Sequence, residues 1–217
     1  MNIRLWGILF ILLAALGGVS YLLSKQQTKG EQVALQRPTE EQMNKFIQGP
    51  QQVKLKNATR EPGRVVVLET SRGRIEFVLY EKDCPRTTSR IAELVQSGAY
   101  NGVSWPRVES WVIQTAPAKK EVPTIGLELT KGLSHERGTV GMARASDPNS
   151  ATSVFYITLE STPQLDSGYT NFGRVIRGMD VITRIKLNDK IKSATLRPST
   201  AADKQILQKL LKADGLR

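Results

Sequence analysis

The chain has 217 residues, 40% of them apolar and 24% charged, with a formal net charge of +11. That suits one folded domain with extensions, or two small ones, and argues against a wholly disordered chain. One cysteine, Cys84, rules out an internal disulfide, and one histidine, His135, argues against a His-rich metal site or a Ser-His-Asp arrangement.

After a short flank, residues 1–5, "WGILFILLAALGGVSYLL" runs from Trp6 to Leu23 without a charge. At about 1.5 Å per residue this helix would reach about 27 Å, close to the apolar thickness of a bilayer. Trp6 and Tyr21 fall near its ends, where amphipathic rings prefer the interface. The expectation is an uncleaved transmembrane anchor over residues 6–23. A cleaved signal is the rival, with "LGGVS" as its site, but Tyr21, Leu22 and Leu23 continue the apolar run. Arg4 before the segment and Lys25 and Lys29 after it nearly balance, so orientation is weakly encoded. Residues 24–62 are rich in Gln, Lys, Glu, Thr and Pro and read as a polar tether. Within it, "PTEEQMNKFIQG" has the cap, apolar face and Gly-Pro stop of a short helix.

A single domain is expected over residues 63–188. "RVVVLETSRGRIEFVLYE" reads as two strands joined by a tight turn at "SRG". Pro85 suits the first turn of a helix, Ile91, Leu94 and Val95 repeat at helical spacing, and Gly98 stops it. Cys84 precedes that helix with no histidine beside it in sequence, and reads as structural or incidental. "VSWPRVESWVIQT" reads as a strand pair or a bent strand. It places Arg107 between two of the chain's three tryptophans, as a charge lying over a core or as a donor aimed into an apolar groove. His135 falls in a loop, "GLSHERGT". Strands follow at "GTVGMARA", "ATSVFYITLE" and "TNFGRVIRG", and "GMDVITRIKLN" begins a helix with Val181, Ile182 and Ile185 together. Many strands with two separated helices suggest an antiparallel barrel closed by helices.

Residues 189–217 read as a basic extension ending in an amphipathic helix. Thr200 caps it, Asp203 is at the third position, and Ile206, Leu207, Leu210 and Leu211 form a stripe. That stripe can dock on the barrel, meet a partner or lie on lipid. The basic tail has no aromatic after Phe172 on which bases could stack, so nucleic acid is not an expected partner; anionic lipid fits better.

From Arg64 to Lys186 these segments resemble a cyclophilin-type peptidyl-prolyl isomerase of the short bacterial form. The motifs are "VVLETSRGRIEFVLYEKDCPRTTSRIAELVQSGAYNG", "HERGTVGMARASDPNSATSVFYITL" and "LDSGYTNFGRVIRGMDVITRI". The resemblance implies a mainly β fold, a closed eight-stranded antiparallel barrel capped by two helices. It implies proline-containing polypeptides as substrates, with no cofactor and no metal. Arg107 takes the place of the catalytic arginine, and Gln114 that of the glutamine that helps place the arginine or the substrate. Trp111, Val112, Ala143, Arg144, Tyr156, Leu165 and Tyr169 fall at substrate-binding positions.

The groove also departs from the family pattern. Pro106 replaces the histidine before the arginine, and "ESW" is one residue shorter than the family's loop. Gln114-Thr115-Ala116 stands for Gln-Gly-Gly, Val154 replaces a glutamine, and Gln164 replaces an indole, which argues against tight binding of the cyclic-peptide inhibitor. Trp111 narrows the proline site and Tyr156 brings a hydroxyl that needs a partner. A tethered isomerase is the leading reading, and a non-catalytic peptide-binding module on the same barrel is the alternative. In a Gram-negative cell, the family form and the anchor imply a single-pass inner-membrane protein facing the periplasm and assisting extracytoplasmic folding.

Overall fold

The computed structural model describes residues 60–129 and 132–215. The expected anchor, the short helix and nearly all of the tether lie outside the described residues. Among the described residues no helix is long and apolar enough to cross a membrane.

Eight strands form one antiparallel sheet. In chain order they are β1 (Val65–Thr70), β2 (Gly73–Leu79), β3 (Arg107–Val108), β4 (Val112–Gln114), β5 (Thr139–Met142), β6 (Phe155–Thr158), β7 (Asn171–Arg177) and β8 (Ile191–Arg197). Their spatial order is β3-β4-β6-β5-β7-β2-β1-β8. β1 and β2 form the expected hairpin, with Thr70 opposite Gly73. Its turn is fastened by the Thr70 hydroxyl, which donates to the Gly73 carbonyl and accepts from the Arg72 N–H.

The sheet curls until its ends approach. Ser104 bridges Lys190, and backbone bonds join Gly102 and Val103 to Ile191, and Trp105 to Asn188 and Asp189. The barrel expected from sequence is therefore a curled sheet whose edges meet through the residues before β3 and the start of β8.

Alternation along the strands separates two apolar faces. Val66, Leu68, Ile75, Phe77, Leu79, Ile113, Phe155, Ile157 and Phe172 turn inward and share one core with Tyr100 and Trp105. Two helices contribute to that core. Helix α1 (Pro85–Gln96) supplies Ile91, Leu94 and Val95, and the single-turn α2 (Met179–Ile182) supplies Val181 and Ile182. Cys84 is fully buried in the same core, its thiol directed at the Asn171 carbonyl. This is the structural role read from sequence.

The stretch beyond residue 188, read as an extension, continues the sheet. β8 pairs with β1 from Val65↔Arg197 onward. Helix α3 (Ala201–Ala213) then folds back onto the outer face. Its Leu207 and Leu211 pack with Val65, Val67, Val78, Tyr80, Leu133 and Ile176. Burying each of these leucines is worth about 1.5–3 kcal/mol before ordering costs. Of the three fates open to the stripe, its buried leucines take the docked one. It also explains the unbroken run "VVVL" in β1: that strand is covered on both faces.

The helix start is a capping box, Thr200 accepting from the Asp203 N–H while the Asp203 carboxylate accepts from the Thr200 N–H. Asp203 is fully buried. It also accepts from Arg177 and Arg197 at 2.6 Å each, and both arginines reach Glu76 on β2. The Arg197 hydrogen bond, opposed by burial and helped by Arg177, holds the Asp203 carboxyl far below the usual carboxylate range.

Candidate active site

The site lies on the outer face of β3, β4, β6 and β5, away from the core. Register aligns Arg107 with Gln114, Gln114 with Tyr156, and Tyr156 with Gly141. One row across four strands thus carries the two expected catalytic side chains and one expected binding residue. Phe155, next to Tyr156, points inward, as the strand period requires.

Beside the row, Trp111, Val112, Ala143, Val154, Tyr156 and Leu165 form a separate apolar cluster with Tyr169 packed against it. The structure therefore brings together Trp111, Val112, Ala143, Tyr156, Leu165 and Tyr169, six of the seven residues that the resemblance implied for binding. Val154 joins them as an apolar wall, 1% exposed. The two tryptophans flanking Arg107 part company. Trp105 fills the barrel core, whereas Trp111 joins the outer cluster.

Arg144, the seventh, acts through the neighbouring loop. Its guanidinium carbon lies 4.4 Å from the Tyr169 ring centroid, and its nitrogens donate to the carbonyls of Gly168, Ala145 and Ser146. It holds Tyr169 edge-on to Tyr156, with ring centroids 6.2 Å apart. The Ala143 N–H donates to the Val154 carbonyl.

The β3–β4 connection is a tight turn in which the Glu109 N–H donates to the Val112 carbonyl. Arg107 and Glu109 are two residues apart and so fall on one side of the strand. The Arg107 Nε–H donates to Glu109 Oε1 at 2.7 Å, and the Trp111 indole N–H donates to Oε2 at 2.8 Å. The guanidinium also faces the Trp111 ring at 5.3 Å. The Arg107 hydrogen bond, against a burial effect and aided by the guanidinium charge and the indole, holds the Glu109 carboxyl below its ordinary value.

Two polar atoms in this row are buried without a hydrogen-bond partner in the protein: Arg107 Nη1, a donor, and Gln114 Oε1, an acceptor. Leaving such a group unpaired costs about 1–3 kcal/mol, so both add polar character beneath the surface of the row. The arrangement can meet an amide: a charged donor and a neutral acceptor stand beside an apolar wall.

The hydroxyl of Tyr156 has an internal partner that sequence reading missed. His135 Nε2 lies 2.9 Å from Tyr156 Oη, and its Nδ1 lies 2.6 Å from Asp166 Oδ1. A carboxylate only accepts, so the neutral ring carries its proton on Nδ1, and Nε2 then accepts from the phenol. Burial above all pushes the Tyr156 hydroxyl pKa upward, so it stays a donor. Asp166 also accepts from the His135 N–H and the Ser134 hydroxyl. His135 is thus a loop residue, as expected, but only 1% exposed. It ties the loop bearing Leu165 and Tyr169 to the floor of the cluster. Gly141 permits this, because a Cβ there would overlap Tyr156 Cζ and Oη.

Among the described residues no group of three or more His, Cys, Asp or Glu is arranged to hold a metal ion.

Comparison with known proteins agrees with this geometry. Residues 65–206 match the family model described as cyclophilin type peptidyl-prolyl cis-trans isomerase/CLD. A probable peptidyl-prolyl cis-trans isomerase of Brucella suis is 32% identical over 155 residues, covering 63% of this chain and 79% of its own. The peptidyl-prolyl cis-trans isomerase of Acinetobacter baylyi is 35% identical over 133 residues, covering 56% and 71%. A crystal structure of a Cryptosporidium parvum cyclophilin type peptidyl-prolyl cis-trans isomerase, in the presence of the dipeptide Ala-Pro, superposes with a TM-score of 0.57. It is 25% identical and covers 62% of this chain and 99% of its own. The family model spans 65–206, a stretch that contains this site, and the chain belongs to the cyclophilin-type peptidyl-prolyl cis-trans isomerase family.

Proposed function

We propose that the row Arg107–Gln114–Tyr156 is where this isomerase rotates an X-Pro amide. The observation that carries the reading is the register that sets Arg107, Gln114 and Tyr156 side by side against the apolar cluster. Rotation about a peptide bond faces about 18–20 kcal/mol because amide resonance must be broken. As the amide twists, the prolyl nitrogen becomes pyramidal and gains a lone pair. A guanidinium donor directed at that nitrogen is worth more in the twisted state than in the planar one, which is the condition for catalysis. Gln114 offers its carbonyl to a peptide N–H, and Trp111, Val112, Tyr156 and Leu165 provide the surface for the proline ring. No covalent bond forms and no general base is required.

The test is exchange spectroscopy on short X-Pro peptides with the wild-type chain and Arg107→Ala. Enhanced cis/trans exchange that disappears in the variant supports the reading. Exchange that survives in Arg107→Ala, or peptide binding with no exchange in either protein, sinks it; the second outcome leaves the peptide-binding module.

In the same reading the domain acts on extracytoplasmic polypeptides from the periplasmic side of a bacterial inner membrane. The apolar segment at residues 6–23 and the polar composition of residues 24–62 support this. Reporter fusions at residue 30 test it: activity of a cytoplasm-only reporter there would refute the topology.

A further inference from the structure

We propose that Glu109 is a positioning residue that fixes the catalytic guanidinium and the wall of the proline site as one unit. The proposal rests on the assignment of Arg107 above. The loop that carries Glu109 is one residue shorter than the family's, a deletion that would be expected to let Arg107 shift. The structure shows what takes up the slack. The Glu109 carboxylate is bidentate, with Oε1 on Arg107 Nε and Oε2 on Trp111 Nε1. One oxygen fixes the edge of the guanidinium, the other fixes the indole plane, and the guanidinium lies over that indole.

The choice of nitrogen matters. Binding at Nε engages the inner edge of the guanidinium and leaves Nη1 with no partner in the protein. Because the guanidinium is planar and rigid, a bond at Nε sets the direction of the terminal N–H groups. Glu109 itself is 43% exposed at the side chain, whereas Arg107 is 12% exposed. The carboxylate therefore sits at the rim and the arginine beneath it. The backbone bond from the Glu109 N–H to the Val112 carbonyl, and that from the Leu159 N–H to the Trp111 carbonyl, hold the turn that presents it.

The experiment uses the full-length chain and four variants: Glu109→Ala, Glu109→Gln, Arg107→Ala and the double variant Arg107→Ala/Glu109→Ala. Exchange at saturating X-Pro peptide and the peptide Kd are measured separately. Glu109→Ala should slow exchange about tenfold while Kd changes by less than about twofold, because orientation rather than contact is lost. Glu109→Gln keeps the acceptor without the charge and should fall between. In the Arg107→Ala background the Glu109 change should cost much less, since only its hold on Trp111 is left to lose. Wild-type exchange in Glu109→Ala, or the same loss with and without Arg107, overturns the proposal.

A second readout separates this proposal from the assignment of function. The Arg107 Nε–Hε resonance should be slow to exchange with water in the wild type and lost or averaged in Glu109→Ala. If the wild type fails to catalyse at all, the functional assignment falls, and this resonance still decides whether Glu109 fixes Arg107. An unchanged resonance in Glu109→Ala refutes the positioning role.

Discussion

Tyr156→Phe should destabilise the domain although it removes a single oxygen. Phenylalanine keeps the ring in the outer cluster and opens no cavity of consequence, so the packing terms nearly cancel. What remains is His135, whose ring is 1% exposed and whose Nε2 has Tyr156 Oη as its partner at 2.9 Å. Without the hydroxyl, Nε2 is a buried acceptor facing a hydrocarbon edge. Leaving a buried acceptor unsatisfied costs about 1–3 kcal/mol. Taking the middle of that range, about 2 kcal/mol, a domain of this size should lose about 4–8 °C in Tm. The loss should be local. The His135–Asp166 bond and the Ser134 contact survive, so the loop bearing Leu165 and Tyr169 loosens without detaching. Thermal melts followed by circular dichroism, with urea titration for the free energy, measure both quantities. A variant melting within about 1 °C of wild type would show that Nε2 finds no loss, and the chain of bonds inferred here would be wrong.

Three other outcomes are expected. Asp203→Asn should cost about 2–3 kcal/mol, below the 3–5 typical of a broken buried pair, because Arg177 and Arg197 are partly exposed and can be hydrated. Since the folded Asp203 carboxyl titrates well below its unfolded value, its stabilisation is complete above about pH 4 and fades as the pH falls further; urea titrations at pH 7 and pH 3 should show the gap between wild type and variant narrowing, and a constant gap refutes the sign. Gly141→Ala should displace the Tyr156 ring and destabilise by about 1–3 kcal/mol with loss of isomerase activity, and a stable, active variant in paired melt and exchange assays would contradict the close approach. Trp111→Phe should widen the proline site and release one oxygen of Glu109, lowering the peptide Kd while slowing exchange per bound peptide; a rise in both constants or a fall in both refutes that division of roles.

Much of the fold was legible because it is locally encoded. The β1–β2 hairpin follows from alternation and the "SRG" turn, α1 from Pro85 and the spacing of Ile91, Leu94 and Val95, and the capping box of α3 from Thr200 and Asp203. The candidate catalytic and binding residues were legible only through motifs, since nothing in the spacing of Arg107, Gln114 and Tyr156 says that three strands set them side by side. β8 escaped because "IKSATLR" alternates poorly: only Ile191 and Ala194 are buried, and its strand state depends on pairing with β1.

The sequence by itself determined the β1–β2 hairpin, α1 and the capped start of α3, and that one arginine lies among apolar residues, because these depend on neighbours within a few positions. Tertiary structure alone decided what each group faces. It turned the lone histidine into the partner of Tyr156, 21 residues away, and set the α3 stripe against β1, over 130 residues before it. It also selected Glu109 as the group that Arg107 and Trp111 share. The physical reason is that hydrogen bonds and burial act through space over a few ångströms, whereas a sequence displays only separation along the chain.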